Sequence, residues 1–219
     1  LAGLQGKGAK LETVIVRDLD GLEKHLPADS LLAFFGLSQN LGPIAEWGLN
    51  LERNLIKVDQ ATCATGKPGI FAIGDIIQTA ALAHTASAEA MHAVEVMAGH
   101  NPPVIDYDAN PAAIYTVPEV ASIGQTEQAL KAKGMPYKIA KFPFAPLAKA
   151  KIEHATDGFI KIIYGEKYRE LLGVHIVGTR ATELISEFVL GKILETTIDE
   201  IAQAIHPHPT LSETIQEAA

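Results

Sequence analysis

Residues 100–111, HNPPVIDYDANP, restrict the fold more than any other stretch of the chain. Pro102, Pro103 and Pro111 remove backbone donors and fix φ, so neither a helix nor a sheet interior passes through comfortably. The intervening Asp and Asn add turn chemistry. The chain therefore divides here, and the boundary expected is between residues 1–102 and residues 103–219.

Ahead of the break, Leu11 to Val16 alternate apolar and polar residues, Asp20-Gly21 reads as a turn, and Leu31–Phe35 reads as a buried run. These are strands of a small sheet. A short helical or irregular patch after Pro43 leads to a strand at Leu55–Val58 and then to KPGIFAIGDI, where the apolar run Ile70–Ile73 stops at Gly74-Asp75. A buried parallel strand stops in this way before its loop. Ala80 to Gly99, rich in Ala, Met, Val and Glu and free of proline, predicts a helix closed by Gly99.

Beyond the break the pattern gives extended pieces at Ile114–Tyr115 and Val120–Ile123, a helix over Thr126–Lys133 and a strand over Tyr137–Phe142. Gly158–Tyr164 and Leu171–Val177 form a hairpin through Gly165-Glu166-Lys167. A helix follows from about Ala181 to Leu194, with Leu184, Ile185, Phe188, Val189 and Ile193 near helical spacing. Strands flanked by helices make this part α+β.

Charge excludes one class of partner. Lys+Arg 18 against Asp+Glu 26 gives a net charge of -8, and no basic cluster is present to displace counterions from nucleic acid. No apolar run is long enough to span a bilayer, and LAGLQGKGAK lacks the layout of a signal peptide, so the expectation is a soluble, cytoplasmic protein without a membrane partner. A single cysteine, Cys63, excludes an internal disulfide framework, a C-x-x-C pair and a cysteine-rich zinc site, and reads as a small inert side chain. Trp47 and Phe34–Phe35 read as packing residues.

Two short motifs carry chemistry. In GIFAIGD, Gly74 permits close backbone approach, and Asp75 past a strand end is suited to accept hydrogen bonds from sugar hydroxyls, though for the motif alone a turn aspartate after a buried strand is the commoner reading. In HPHPTLSE, Thr210 and Glu213 have the T-x-x-E spacing of a capping box that opens a helix. His208 and Glu213 also suit a base and its orienting carboxylate. His206 and His208 form an H-x-H pair without a third clustered ligand, so no metal site is expected.

TGKPGIFAIGDI resembles the second flavin-binding motif of flavoproteins with two dinucleotide-binding domains. LAHTASAEA, IYTVPEVASIGQTE, KFPF, DGFIKIIY, LLGVHIVGTRATELISE and HPHPTLSE resemble the C-terminal part of the dihydrolipoamide dehydrogenases, of the pyridine nucleotide-disulfide oxidoreductase family. The resemblance implies an α+β interface (dimerisation) domain with an antiparallel sheet and flanking helices, preceded by a partial α/β dinucleotide-binding domain. It implies FAD and NAD as cofactors, a ribityl contact at Asp75, a flavin-neighbouring backbone contact at Ala83, and a homodimer. It also implies that His208 is the acid–base and Glu213 its partner, supplied across the two-fold interface, with a dihydrolipoyl substrate or a 2-oxo acid dehydrogenase complex as partner.

Residues 1–75 are more similar to ferredoxin–NADP reductase of the thioredoxin-reductase type, which sets a join near Gly74–Ala81 and makes an NADPH reductase the competing enzyme reading. Neither G-x-G-x-x-G nor a second cysteine for a redox pair occurs in the sequence. The chain accordingly reads as a C-terminal portion, and a non-catalytic dimerisation module is the reading from another class.

Overall fold

The computed structural model describes residues 2–7, 10–17, 21–28 and 40–219. Two units result, residues 1–42 and residues 43–219. In the first, β1 (Gly3–Lys7), β2 (Lys10–Arg17) and β3 (Glu23–Pro27) form an antiparallel sheet in that order. The alternation at Leu11–Val16 belongs to β2, where Val14 is buried. In β3 all five residues are exposed, so no apolar period marked it. The expected strand Leu31–Phe35, and Phe34–Phe35 with it, lies outside the described residues.

A 3-10 turn at Gly42–Trp47 supplies the patch expected after Pro43, but Trp47 is 52% exposed and is not the packing residue its size suggested. β4 (Leu51–Glu52) and β5 (Leu55–Ile56) form a short hairpin. Arg53 and Asn54 turn it with φ of 50° and 64°. The expectation of a buried parallel strand at Ile70–Ile73 is corrected. Phe71 makes one antiparallel bridge to Ala64, and the parallel bridge is Ile56 to Ile77. A parallel strand needs neighbours brought alongside by crossovers, and residues 43–82 supply only short hairpin-like pieces.

The predicted helix is α1 (Ala83–Met97), and Gly99 takes φ 81° just past its end. After it come β6 (Ala112–Ile114), β7 (Glu119–Gly124), α2 (Glu127–Lys133), β8 (Tyr137–Pro143), α3 (Ala148–Ile152), β9 (Phe159–Gly165) and β10 (Leu171–Gly178). The chain closes with α4 (Ala181–Ile193), α5 (Ile198–Gln203) and α6 (Glu213–Ala218). The five strands form one antiparallel sheet in the order β6-β7-β10-β9-β8.

One face of this sheet holds the core. Ile160, Ile162, Val174 and Ile176 point from β9 and β10 into a cluster with Ile185 and Phe188 of α4, Ile198 of α5 and Ile215 of α6. The helices are therefore held by burial rather than by propensity, as short helices must be. Phe144, just past β8, is wholly buried, and its ring lies where a side chain on Gly178 would sit. On the other face Leu130, Ile163 and Leu172 make a smaller cluster under α2.

Candidate functional site

Gly74, Asp75 and Ile76 form a single 3-10 turn packed on α1. Gly74 takes φ 68°, and a Cβ there would lie 3.1 Å from the Cβ of Ala86, so glycine is what lets the turn approach the helix. Asp75 is exposed at the surface of this turn. α1 opens at Ala83, also exposed, after an extended Leu82 that provides no side-chain cap. The start of this fifteen-residue helix therefore combines the positive end of its dipole with N–H groups that have no intrahelical acceptor. A carboxylate beside an uncapped helix start fits the hydroxylated chain and electron-rich ring edge of a flavin. The sequence contains no glycine-rich loop for its diphosphate.

Behind this turn is a set of polar contacts that sequence reasoning missed. Glu89 is wholly buried and accepts the Gly74 N–H at 2.6 Å and the Tyr107 hydroxyl at 3.0 Å. Burial first, and the Glu89 hydrogen bond next, push the Tyr107 phenol well above its ordinary range, so it remains a donor. Near the helix start, Thr85 donates to Asn110 Oδ1 at 3.1 Å and His84 Nε2 meets the Pro111 carbonyl at 2.8 Å. The available signal was the placement of His84, Thr85 and Glu89 within LAHTASAEA, the last a glutamate in an alanine-rich helix. Cys63 is 1% exposed, and burial above all raises its thiol, in keeping with an inert side chain.

At the other end of the sequence, His208 and Glu213 are brought together. His208 Nδ1 is 2.7 Å from Glu213 Oε1, while Glu213 Oε2 accepts the Thr210 N–H at 2.8 Å. The Thr210 amide, followed by His208, holds the Glu213 carboxyl below the usual glutamate value. An ionised carboxylate only accepts, so Nδ1 carries the hydrogen and Nε2 presents its lone pair. The His208 side chain is 70% exposed against 21% for Glu213, which leaves that lone pair open to solvent.

The capping-box expectation needs correction. α6 starts at Glu213 with Ser212 as its N-cap, and the Thr210 hydroxyl donates to the Pro207 carbonyl rather than accepting from the helix. Only the glutamate arm of the box is made. The Thr210 hydroxyl also lies 2.8 Å from Ser212 Oγ, so its local partners are a carbonyl and a hydroxyl rather than the amide of a first-turn residue. His206 differs from His208 throughout: its side chain is 6% exposed, Nδ1 faces the Ala204 carbonyl at 3.1 Å and Nε2 faces Glu187 at 3.1 Å. Both its nitrogens are engaged within the protein.

α6 packs on α5, β8 and β9, whereas the Gly74 turn packs on α1. The dyad and the turn are two separately built halves. The five-stranded antiparallel sheet domain with its flanking helices has the architecture of the flavoprotein disulfide reductases. The chain belongs to the pyridine nucleotide-disulphide oxidoreductase family: residues 110–219 match its dimerisation domain and residues 4–90 match its pyridine nucleotide-disulphide oxidoreductase domain.

Among particular proteins, it is 42% identical over 207 residues to the dihydrolipoyl dehydrogenase of Bacillus subtilis (strain 168), covering 94% of this chain and 44% of that protein. It is 37% identical over 220 residues to the mitochondrial dihydrolipoyl dehydrogenase of Caenorhabditis elegans, covering 99% of this chain and 44% of that protein. The crystal structure of LpdA from Mycobacterium tuberculosis superposes with a TM-score of 0.80 at 26% identity, covering 99% of this chain and 47% of that one. The chain thus spans less than half the length of these relatives. Both the 4–90 match and the Bacillus alignment run across residues 74–81. Among the described residues no helix is long and apolar enough to cross a membrane.

Proposed function

We propose that this chain is the C-terminal half of a dihydrolipoyl dehydrogenase, an FAD-dependent enzyme that oxidises a dihydrolipoyl dithiol and reduces NAD. The observation that carries the reading is the His208–Glu213 pair: an exposed imidazole whose Nδ1 is committed to a carboxylate and whose Nε2 is open. A dihydrolipoyl thiol, with a pKa of about 8.5, is mostly protonated at neutral pH. His208 Nε2 takes its proton and so leaves the thiolate, the form in which the dithiol would give up two electrons to the redox disulfide of the complete enzyme. Glu213 fixes the ring tautomer and stabilises the imidazolium that forms. Bound FAD supplies the two-electron relay to NAD, with Asp75 holding the ribityl chain and the Ala83 backbone beside the ring.

Residues 103–219 are the dimerisation domain in this reading, and residues 1–102 belong to the nucleotide-binding part. Support for a homodimer comes from α4, whose inner residues Ile185 and Phe188 are buried while Leu190, Ile193 and Leu194 are 58%, 66% and 64% exposed. Such an apolar surface calls for cover. In the dimer each His208–Glu213 pair serves the neighbouring subunit's flavin. The physiological donor is the dihydrolipoyl arm of a 2-oxo acid dehydrogenase complex. We read the location as cytoplasmic on composition, and cell fractionation tests that point.

The decisive assay is NAD reduction by dihydrolipoamide in a flavin-loaded complete enzyme that bears this segment. We expect His208→Ala to lower the rate by about 10²–10⁴-fold, the contribution of a positioned general base. An unchanged rate sinks the assignment. Flavin absorbance in the purified protein tests the cofactor separately.

A further inference from the structure

We propose that Glu89 is a positioning residue for the flavin-side turn, holding Gly74 so that Asp75 is presented beside the start of α1, and that Tyr107 locks Glu89 in place from the linker. The inference rests on the reading of Asp75 as a ribityl contact. Glu89 is 0% exposed, on the inner face of α1, and neither of its oxygens reaches solvent. A buried carboxylate is costly unless its hydrogen bonds are made, and here each oxygen has one donor. Its Gly74 bond, at 2.6 Å, spans fifteen residues and falls on the one backbone amide immediately ahead of Asp75.

Gly74 has a left-handed backbone, and this amide direction sets where the next residue points. The second donor comes from residue 107, within the proline-bounded linker. Thr85 and His84 hold Asn110 and Pro111 of the same linker from the same helix. The flavin-side turn is therefore fastened to the entry of the dimerisation domain through Gly74, Glu89 and Tyr107, a route independent of His208 and Glu213.

The test measures FAD dissociation constants by fluorescence titration on a complete enzyme that bears this segment, as wild type, Glu89→Leu, Glu89→Gln, Asp75→Ala and the Glu89→Leu/Asp75→Ala double variant. Leucine fills the space but leaves the Gly74 amide and the Tyr107 hydroxyl unpaired, and we expect FAD binding weakened about tenfold or more. Glutamine can offer its carbonyl to Gly74 and its amide to the Tyr107 oxygen, so binding within about threefold of wild type is expected. In the Asp75→Ala background the leucine change should cost little more, because its route to the flavin is gone.

Wild-type affinity in Glu89→Leu overturns the proposal while leaving Asp75 intact. So does an equal loss with and without Asp75, since that marks a general effect on the fold. Unchanged binding in Asp75→Ala removes the Asp75 reading, and the proposal with it. If Glu89→Leu fails to fold, Tyr107→Phe removes one donor without altering the ring: about a threefold loss confined to the Asp75 background supports the inference, and no loss overturns it.

Discussion

Glu213 divides its two oxygens between the Thr210 amide and His208 Nδ1, and the proposed function gives the second contact a chemical role. Glu213→Gln separates the two roles. Glutamine can keep its carbonyl on Thr210, but its amide then donates toward Nδ1, which must accept. The ring hydrogen moves to Nε2, and the base is lost. We expect an unaltered melting temperature near neutral pH together with a large fall in dithiol turnover; a wild-type rate would reduce Glu213 to a local brace. The carboxyl is held below its ordinary 4.5, so whatever it contributes to folding is complete above that value and disappears as pH falls through the depressed one. Wild type should therefore lose melting temperature more steeply below about pH 4.5 than Glu213→Gln. Parallel acid profiles would count against this carboxylate pairing.

Among the elements, the legible ones were those whose pattern and burial agree. Thr126 caps α2 by accepting from the Ala129 amide, Gly134 closes that helix at φ 64°, and both signals stand in the sequence. The hairpin of β9 and β10 followed from two apolar runs around one turn. Short pieces escaped notice: α3 has five residues and α5 six, less than two turns each, too few to show a period. α5 nonetheless has a complete capping box between Thr197 and Glu200. At HPHPTLSE the same spacing misled, because α6 begins at Glu213 with Ser212 as its N-cap, so Thr210 stands too far ahead of the helix to cap it, whereas Thr197 directly precedes α5. The His208–Glu213 pair was legible through resemblance, whereas the Glu89 contacts depend on which face of α1 turns inward, which an alanine-rich sequence does not announce. Gly178 gives this scale its test. Its φ is 149°, and a Cβ added there would lie 2.9 Å from Cδ2 of the Phe144 ring, which leaves no room for a methyl group. Gly178→Ala should lower unfolding free energy by about 1–3 kcal/mol in urea titration, the usual range for overpacking. Gly99→Ala, with open space around it, serves as the control for backbone conformation alone.

For the whole molecule, the question is whether the dyad and the flavin-side turn of one active site come from one chain or from two. In the proposed dimer the exposed apolar residues Leu190 and Ile193 of α4 and Leu194 just past it would form the two-fold contact, and a closed isologous interface would present each subunit's dyad to its partner reciprocally. Mixed dimers distinguish the arrangements. One protomer has His208→Ala and an intact Asp75; the other has Asp75→Ala, is depleted of flavin, and keeps its His208. If each site pairs one chain's flavin with the other's histidine, the mixed dimer contains one complete site and one site lacking both parts. Turnover should then recover to about half that of wild type, although each parent homodimer is impaired. If both parts of a site belong to the same chain, no complete site exists in the mixed dimer, and turnover stays at the parental level. Leu190→Asp with Ile193→Asp adds the physical control, since charges on the contact surface should give a monomeric mass by light scattering and remove the recovery. A mixture that remains dimeric yet shows no recovery would assign the dyad to its own chain's flavin.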